Sequence, residues 1–97
     1  MLVQYAASFL QDIEALSDWI AQDNPGRAIT FVDEILDVCA NIVSLFPERG
    51  RRRPEFGRNT RSYVTHQRTI YYDFYPNRQM IRFRRLIGPQ QVERSSL

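Results

Sequence analysis

The stretch TIYYDFYPNRQMIRFRRLI, Thr69 to Ile87, contains two strands and the turn that joins them. In its first half Ile70, Tyr72 and Phe74 fall on one side of an extended chain, and Tyr71, Asp73 and Tyr75 on the other, since successive strand side chains point to opposite faces. Pro76-Asn77 supplies the turn. From Gln79 to Ile87 the alternation resumes, with Ile81, Phe83 and Ile87 opposing Met80, Arg82, Arg84 and Leu86. Arg85 falls among the apolar set, so it is expected at the rim of the core or paired with an acid; Glu14 and Asp18 are the candidate partners. Such a hairpin needs a second layer over its apolar face.

Working upstream, Arg61 to Thr65 reads as a further strand, with His66-Gln67 at the turn before Thr69. Glu48 to Asn59 is a long irregular connection, with Gly50, Gly57 and Pro54 setting its bends. The covering layer comes from before Pro47. Ala28, Val32, Ile35, Cys39, Ile42 and Phe46 recur at helical spacing, and Ile29, Leu36 and Val43 form a second row seven apart. One row suits the sheet; the other suits either the first helix or a partner chain. Asn24 caps this second helix and Pro25 opens it. Before it, Phe9, Ile13, Leu16 and Ile20 mark a first helix from about Ala7 to Gln22, and Leu2 to Tyr5 is a short first strand. The expected architecture is α+β, β-α-α-β-β-β, with two N-terminal helices packed on a small antiparallel sheet. Residues 1–90 form the domain, and residues 91–97 a flexible polar tail.

The 97 residues suffice for one core. Charge is segregated along them. Residues 1–48 carry eight acids against one base, Arg27, a net −7; the remainder carries twelve arginines against Glu55, Asp73 and Glu93, a net +9. Every basic residue is arginine. This predicts an acidic helical layer and a basic sheet surface, suited to an acidic protein or a nucleic-acid backbone. Cys39, the one cysteine, sits on the apolar row and is expected in the core; no internal disulfide is possible. The start, Met1-Leu2-Val3-Gln4-Tyr5, lacks a basic leader, and the most apolar window is broken by Asp33, Glu34 and Asp37. Neither an export signal nor a membrane span is expected, and a cytoplasmic location is. No Gly-rich phosphate loop, Cys/His metal spacing or Gly-x-Ser-x-Gly elbow occurs, so no cofactor and no metal are expected.

Several residues, in order, resemble the RelE/ParE toxin superfamily, and its ParE branch in particular. They are Asp12-Ile13, Trp19-Ile20, Asp23-Asn24-Pro25, Ala28, Phe31-Val32, Phe46-Pro47, Gly50-Arg51, Arg53-Pro54-Glu55, Arg61-Ser62 and Ile70-Tyr71-Tyr72. The likeness runs from Val3 to about Gly88. It departs at the closing strand, commonly Arg-Val-Leu-His-Gly in the family: Arg85 stands in place of the valine and Ile87 in place of the histidine. The resemblance implies the toxin of a type II toxin–antitoxin pair, neutralised by an antitoxin whose C-terminal segment wraps it and whose N-terminal domain binds DNA. Operator DNA would then be reached only through the antitoxin. ParE-like toxins act on DNA gyrase, whereas RelE-like members cut messenger RNA on the ribosome.

Chemistry separates these two. Cutting RNA without a metal needs a base, an acid and cations around the phosphate. RelE-like enzymes draw these from lysines or a glutamate, arginines, and a Tyr or His near the C-terminus; here there is no lysine, and nothing after Tyr75 is Tyr, His, Asp or Lys. His66 reads as a surface turn residue, and arginine stays charged. Inhibition of gyrase or a related topoisomerase by protein binding, with no catalytic residue, is therefore the leading expectation; an mRNA endoribonuclease and a non-toxic interaction module are the alternatives. An antitoxin segment rich in acids and large apolar residues would meet Ile29, Leu36, Val43, Arg61, Arg82 and Arg84. Arg51, Arg52, Arg53 and Arg85 are the expected target contacts. The Arg49-Gly50-Arg51-Arg52-Arg53 run reads as a nucleic-acid arm or as a solvated connection against the antitoxin; it has no interleaved aromatic for stacking.

Overall fold

The computed structural model describes residues 1–88; the last two residues of the expected domain and the tail from 91 lie outside them. The elements are β1 (Leu2–Tyr5), α1 (Ala7–Ala21), α2 (Pro25–Val38) continued by a π-helical turn (Cys39–Val43), β2 (Arg51–Arg52), β3 (Thr60–Thr65), β4 (Arg68–Tyr75) and β5 (Met80–Ile87). The sheet order is β1-β5-β4-β3-β2. The α+β class holds, and two features modify the expected sheet. β1 runs parallel to β5, so the sheet is mixed. Arg51 and Arg52, read as loop, add a fifth strand against β3. Both edges are short, and β2 is charged, which discourages edge-to-edge pairing.

Local chemistry accounts for the boundaries. Asn24 Oδ1 accepts from Arg27 N at 3.0 Å, and Pro25 occupies the first turn of α2, where its missing N–H is not needed. His66 and Gln67 both adopt left-handed backbone, φ 51° and 60°, as a two-residue hairpin turn requires.

Phe9, Ile35, Val38, Cys39 and Val43 from the helices meet Ile70, Tyr72, Ile81, Phe83 and Leu86 from the sheet. Phe83 lies at the aromatic centre, its ring 5.3 Å from Tyr5, 5.8 Å from Phe9 and 6.0 Å from Tyr72. The π turn alters the expected apolar rows. It inserts one residue into the helical repeat, marked by Ser44 N donating to Cys39 O at 3.0 Å. The phase after Cys39 therefore rotates. Val43 enters the core with no exposed surface, and Phe46 turns outward with 56% exposed.

The alternation of β5 is likewise interrupted. Tyr72 pairs with Phe83 and Tyr71 with Arg85, so Arg84 is the extra residue of a β-bulge. The bulge places Leu86, expected on the outer face, in the core.

Candidate functional site

Register and alternation assign the two sheet faces. Val3, Tyr5, Tyr63, Ile70, Tyr72, Ile81 and Phe83 lie toward the helices. Arg51, Thr60, Ser62, Val64, Tyr71, Asp73 and Arg82 take the other face. At the centre of that second face sits Asp73, only 5% exposed. Its Oδ1 accepts from Thr60 Oγ1 at 2.6 Å; its Oδ2 accepts from Arg84 Nη1 at 2.7 Å and from Tyr75 OH at 3.2 Å. Burial, and then the Asp73 carboxylate, raise the Tyr75 phenol above its ordinary pKa. A carboxylate this buried is retained because its lone pairs are filled. It fixes Arg84 at the bulge.

The segment after β2 folds back over this face. Phe56 meets Tyr71 edge-on at 5.4 Å. The Arg53 guanidinium lies over Phe56 at 5.1 Å and Tyr71 at 5.4 Å, donates to Ser62 Oγ at 3.3 Å and pairs with Glu55 at 2.9 Å. The Glu55 carboxyl is held below its usual range, first by its own backbone N–H and then by Arg53.

Among the expected antitoxin contacts, Arg82 is exposed and Arg84 half-exposed on this face. Arg61 serves another purpose: its Nη1 donates to Glu48 O at 3.2 Å and Gly50 O at 2.9 Å, tying down the chain after the helices. Tyr72 reinforces that tie, donating to Pro47 O at 2.7 Å and accepting from Gly50 N at 3.0 Å. The apolar row is split. Ile29 is 66% exposed, Leu36 packs partly against the core, and Val43 is buried by the π-turn rotation and unavailable as surface. Moreover, α2 and Arg82 lie on opposite sides of the sheet.

Of the expected target contacts, Arg51 and Arg52 are exposed on β2, and Arg53 is held by Glu55, Ser62 and its two aromatic neighbours. Arg85 is engaged by an acid of α1, but that acid is Asp12 and neither Glu14 nor Asp18. Its Nε and Nη2 donate to the two carboxylate oxygens at 2.7 and 3.2 Å. Asp12 Oδ2 also accepts from Leu86 N at 2.9 Å, while Ser8 Oγ donates to Arg84 O at 2.7 Å. The side chains of α1 thus satisfy the edge of β5 where β1 has ended.

A concavity of about 170 Å³ lies at the end of the sheet, lined by Arg52, Arg58 and Arg61 with Glu48, Asn59 and Phe74 among its walls. The sequence offers no sign of Arg58 or Glu48 as site residues, because the connection carrying them has no periodicity from which to place them. His66 is at the opposite end of β3. Its Nε2 lies 3.1 Å from Glu34 and its Nδ1 2.7 Å from Thr65 Oγ1. The six steps along the chain from Thr60 to His66, at about 3.3 Å each, separate it from the concavity by roughly 20 Å.

The family model for the ParE toxin of the type II toxin–antitoxin system parDE matches residues 3–88. The chain belongs to the ParE toxin family. Among solved structures, the chromosomal ParDE toxin–antitoxin system from P. aeruginosa contains a chain similar in fold to this ParE toxin, with a TM-score of 0.73 at 16% identity over 91% of this chain and 95% of that one. Comparison with curated protein sequences gives no match. Among the described residues of this ParE toxin no helix is long and apolar enough to cross a membrane.

Proposed function

We propose that this ParE-family toxin acts in the cytoplasm by binding DNA gyrase and arresting growth, and that a cognate antitoxin neutralises it, the pair serving plasmid stabilisation or its chromosomal equivalent. The observation carrying this reading is the second sheet face: a surface with Arg82 exposed and Arg84 fixed on the buried Asp73 carboxylate, suited to grip an acidic partner. Exposed Leu2, on β1 beside β5, and exposed Val64, across β4 on β3, lie on the same face. An antitoxin segment with acids and large apolar residues finds both requirements there, without the helix-two row. The antitoxin's DNA-binding N-terminal domain would carry any contact with operator DNA.

Binding is favoured over RNA cutting by the lack of any lysine and of any Tyr, His or Asp after Tyr75, with His66, the one histidine, set apart from the arginine-lined concavity. Supercoiling by purified gyrase should fall as toxin is added, and unchanged supercoiling at saturating toxin rejects gyrase as the target. For the antitoxin, Arg82→Glu should weaken the complex at least tenfold by calorimetric titration. Wild-type affinity in that variant would remove the sheet face from the antitoxin site.

A further inference from the structure

Two arginines of the concavity at the β2–β3 end of the sheet have side chains that take no part in holding the fold. Arg52 and Arg58 are exposed and have no carboxylate within ion-pair distance among the described residues. The third, Arg61, is positioned through one nitrogen alone: both its contacts, to Glu48 O and Gly50 O, are made by Nη1. Its Nε and Nη2 hydrogens, the edge that recognises an oxyanion bidentately, have no protein acceptor among the described residues. We propose that Arg52, Arg58 and Arg61 form a phosphate-binding site that accepts a phosphoester group.

The site's charge and rigidity fit such a ligand. Three guanidiniums less the Glu48 carboxylate leave a formal +2, the complement of a phosphomonoester near neutral pH. Its volume of about 170 Å³ exceeds that of several waters, at about 30 Å³ each, and so holds a phosphate with part of its ester. Arg61 is anchored by two carbonyls. Arg58 follows Gly57, whose φ of +155° sets the chain direction, and precedes Thr60, whose hydroxyl is bound to Asp73. The two walls Phe74 and Pro76 offer an apolar surface to the carbon side of the ester. His66, about 20 Å away along β3, is too distant to reach a ligand here, and Glu48 is the carboxylate that lines the site.

Inorganic phosphate titrated into the purified full chain, followed through backbone amide NMR shifts, tests this. Shifts should localise to Arg52, Arg58, Asn59 and Thr60. Arg58→Gln should weaken binding about tenfold and Glu48→Gln should tighten it about threefold; both residues are exposed, so the fold is retained. Arg82→Gln, on the second sheet face, should change affinity less than twofold. A pentathymidylate without terminal phosphate then distinguishes the sources. Competition for the same amides assigns the ligand to a polynucleotide backbone, and absence of competition to a phosphomonoester. Shifts that avoid these amides, or affinity unchanged by Arg58→Gln and Glu48→Gln, overturn the proposal.

Discussion

Gln67 occupies left-handed backbone, φ 60°, and its side chain makes no compensating hydrogen bond among the described residues. That region costs a residue bearing a Cβ about 1–2 kcal/mol, and glycine's freedom in the unfolded chain offsets about 0.5–1 kcal/mol of any relief. Gln67→Gly should therefore stabilise the protein by roughly 0.5–1 kcal/mol, a few degrees in Tm for a domain of this size; a lower Tm would contradict the turn geometry. Its neighbour His66 behaves differently, because its ring is engaged by Glu34 and Thr65 and meets Phe31 edge-on at 5.8 Å, contacts that glycine would remove. Gly50 presents the opposite constraint. A Cβ there would collide with the Tyr72 hydroxyl and come within 2.9 Å of Ser62 O, a backbone atom that cannot yield. Gly50→Ala should cost about 2 kcal/mol in denaturant unfolding, and it should also disrupt the tie that holds Pro47 and Gly50 against the sheet.

At the level of elements, the sheet depends on α1 for the part of β5 that β1 does not reach. Asp12→Ala would leave Leu86 N–H without its acceptor and Arg85 without its partner. With Arg85 partly exposed the loss is moderated by solvent, to about 2 kcal/mol, measurable by chemical denaturation; a loss below about 0.5 kcal/mol would mean that water replaces Asp12 freely. The same junction shows how far the residue pattern reaches. Alternation in Thr69–Tyr75 and helical spacing in Ala7–Gln22 place those elements correctly, because each buries one continuous face. Where the chain inserts a residue, pattern reading fails: the bulge at Arg84 and the π turn at Cys39–Val43 each rotate the residues beyond them, exchanging Val43 for Phe46 in the core and bringing Leu86 inward. Neither insertion changes composition or spacing before it occurs. The pairing of Arg85 with an acid on α1 was legible, since an arginine among apolar residues needs one. The particular acid depends on how α1 crosses the edge of β5. For the site, Arg82 and Arg84 were legible from alternation, whereas the concavity joins Arg52, Arg58 and Arg61 through loop geometry that no period describes.

Taken whole, the molecule favours the neutral form of three phenols, Tyr5, Tyr72 and Tyr75, and of its thiol. Burial pushes the Cys39 thiol up to about 12. Burial also raises Tyr72, opposed by the Gly50 N–H, and raises Tyr5 and Tyr75, each with help from a neighbouring group. In every case the unfolded chain releases its proton at lower pH than the folded one. The stability these groups contribute is therefore complete below the unfolded thiol value of about 8.5. It is lost progressively as pH rises from there toward about 12, because deprotonation then favours the unfolded state. Unfolding free energy measured in urea should thus be level between about pH 7 and 8 and fall steeply above about pH 9. Cys39→Ala should start lower, because it leaves a cavity, yet decline less over the first part of that range. A wild-type curve that stays flat to about pH 11 would contradict the burial of these side chains. So would rapid reaction of Cys39 with a thiol reagent near pH 8 in the absence of denaturant, since a thiol buried among Phe9, Val38 and Val43 reacts only when the core opens.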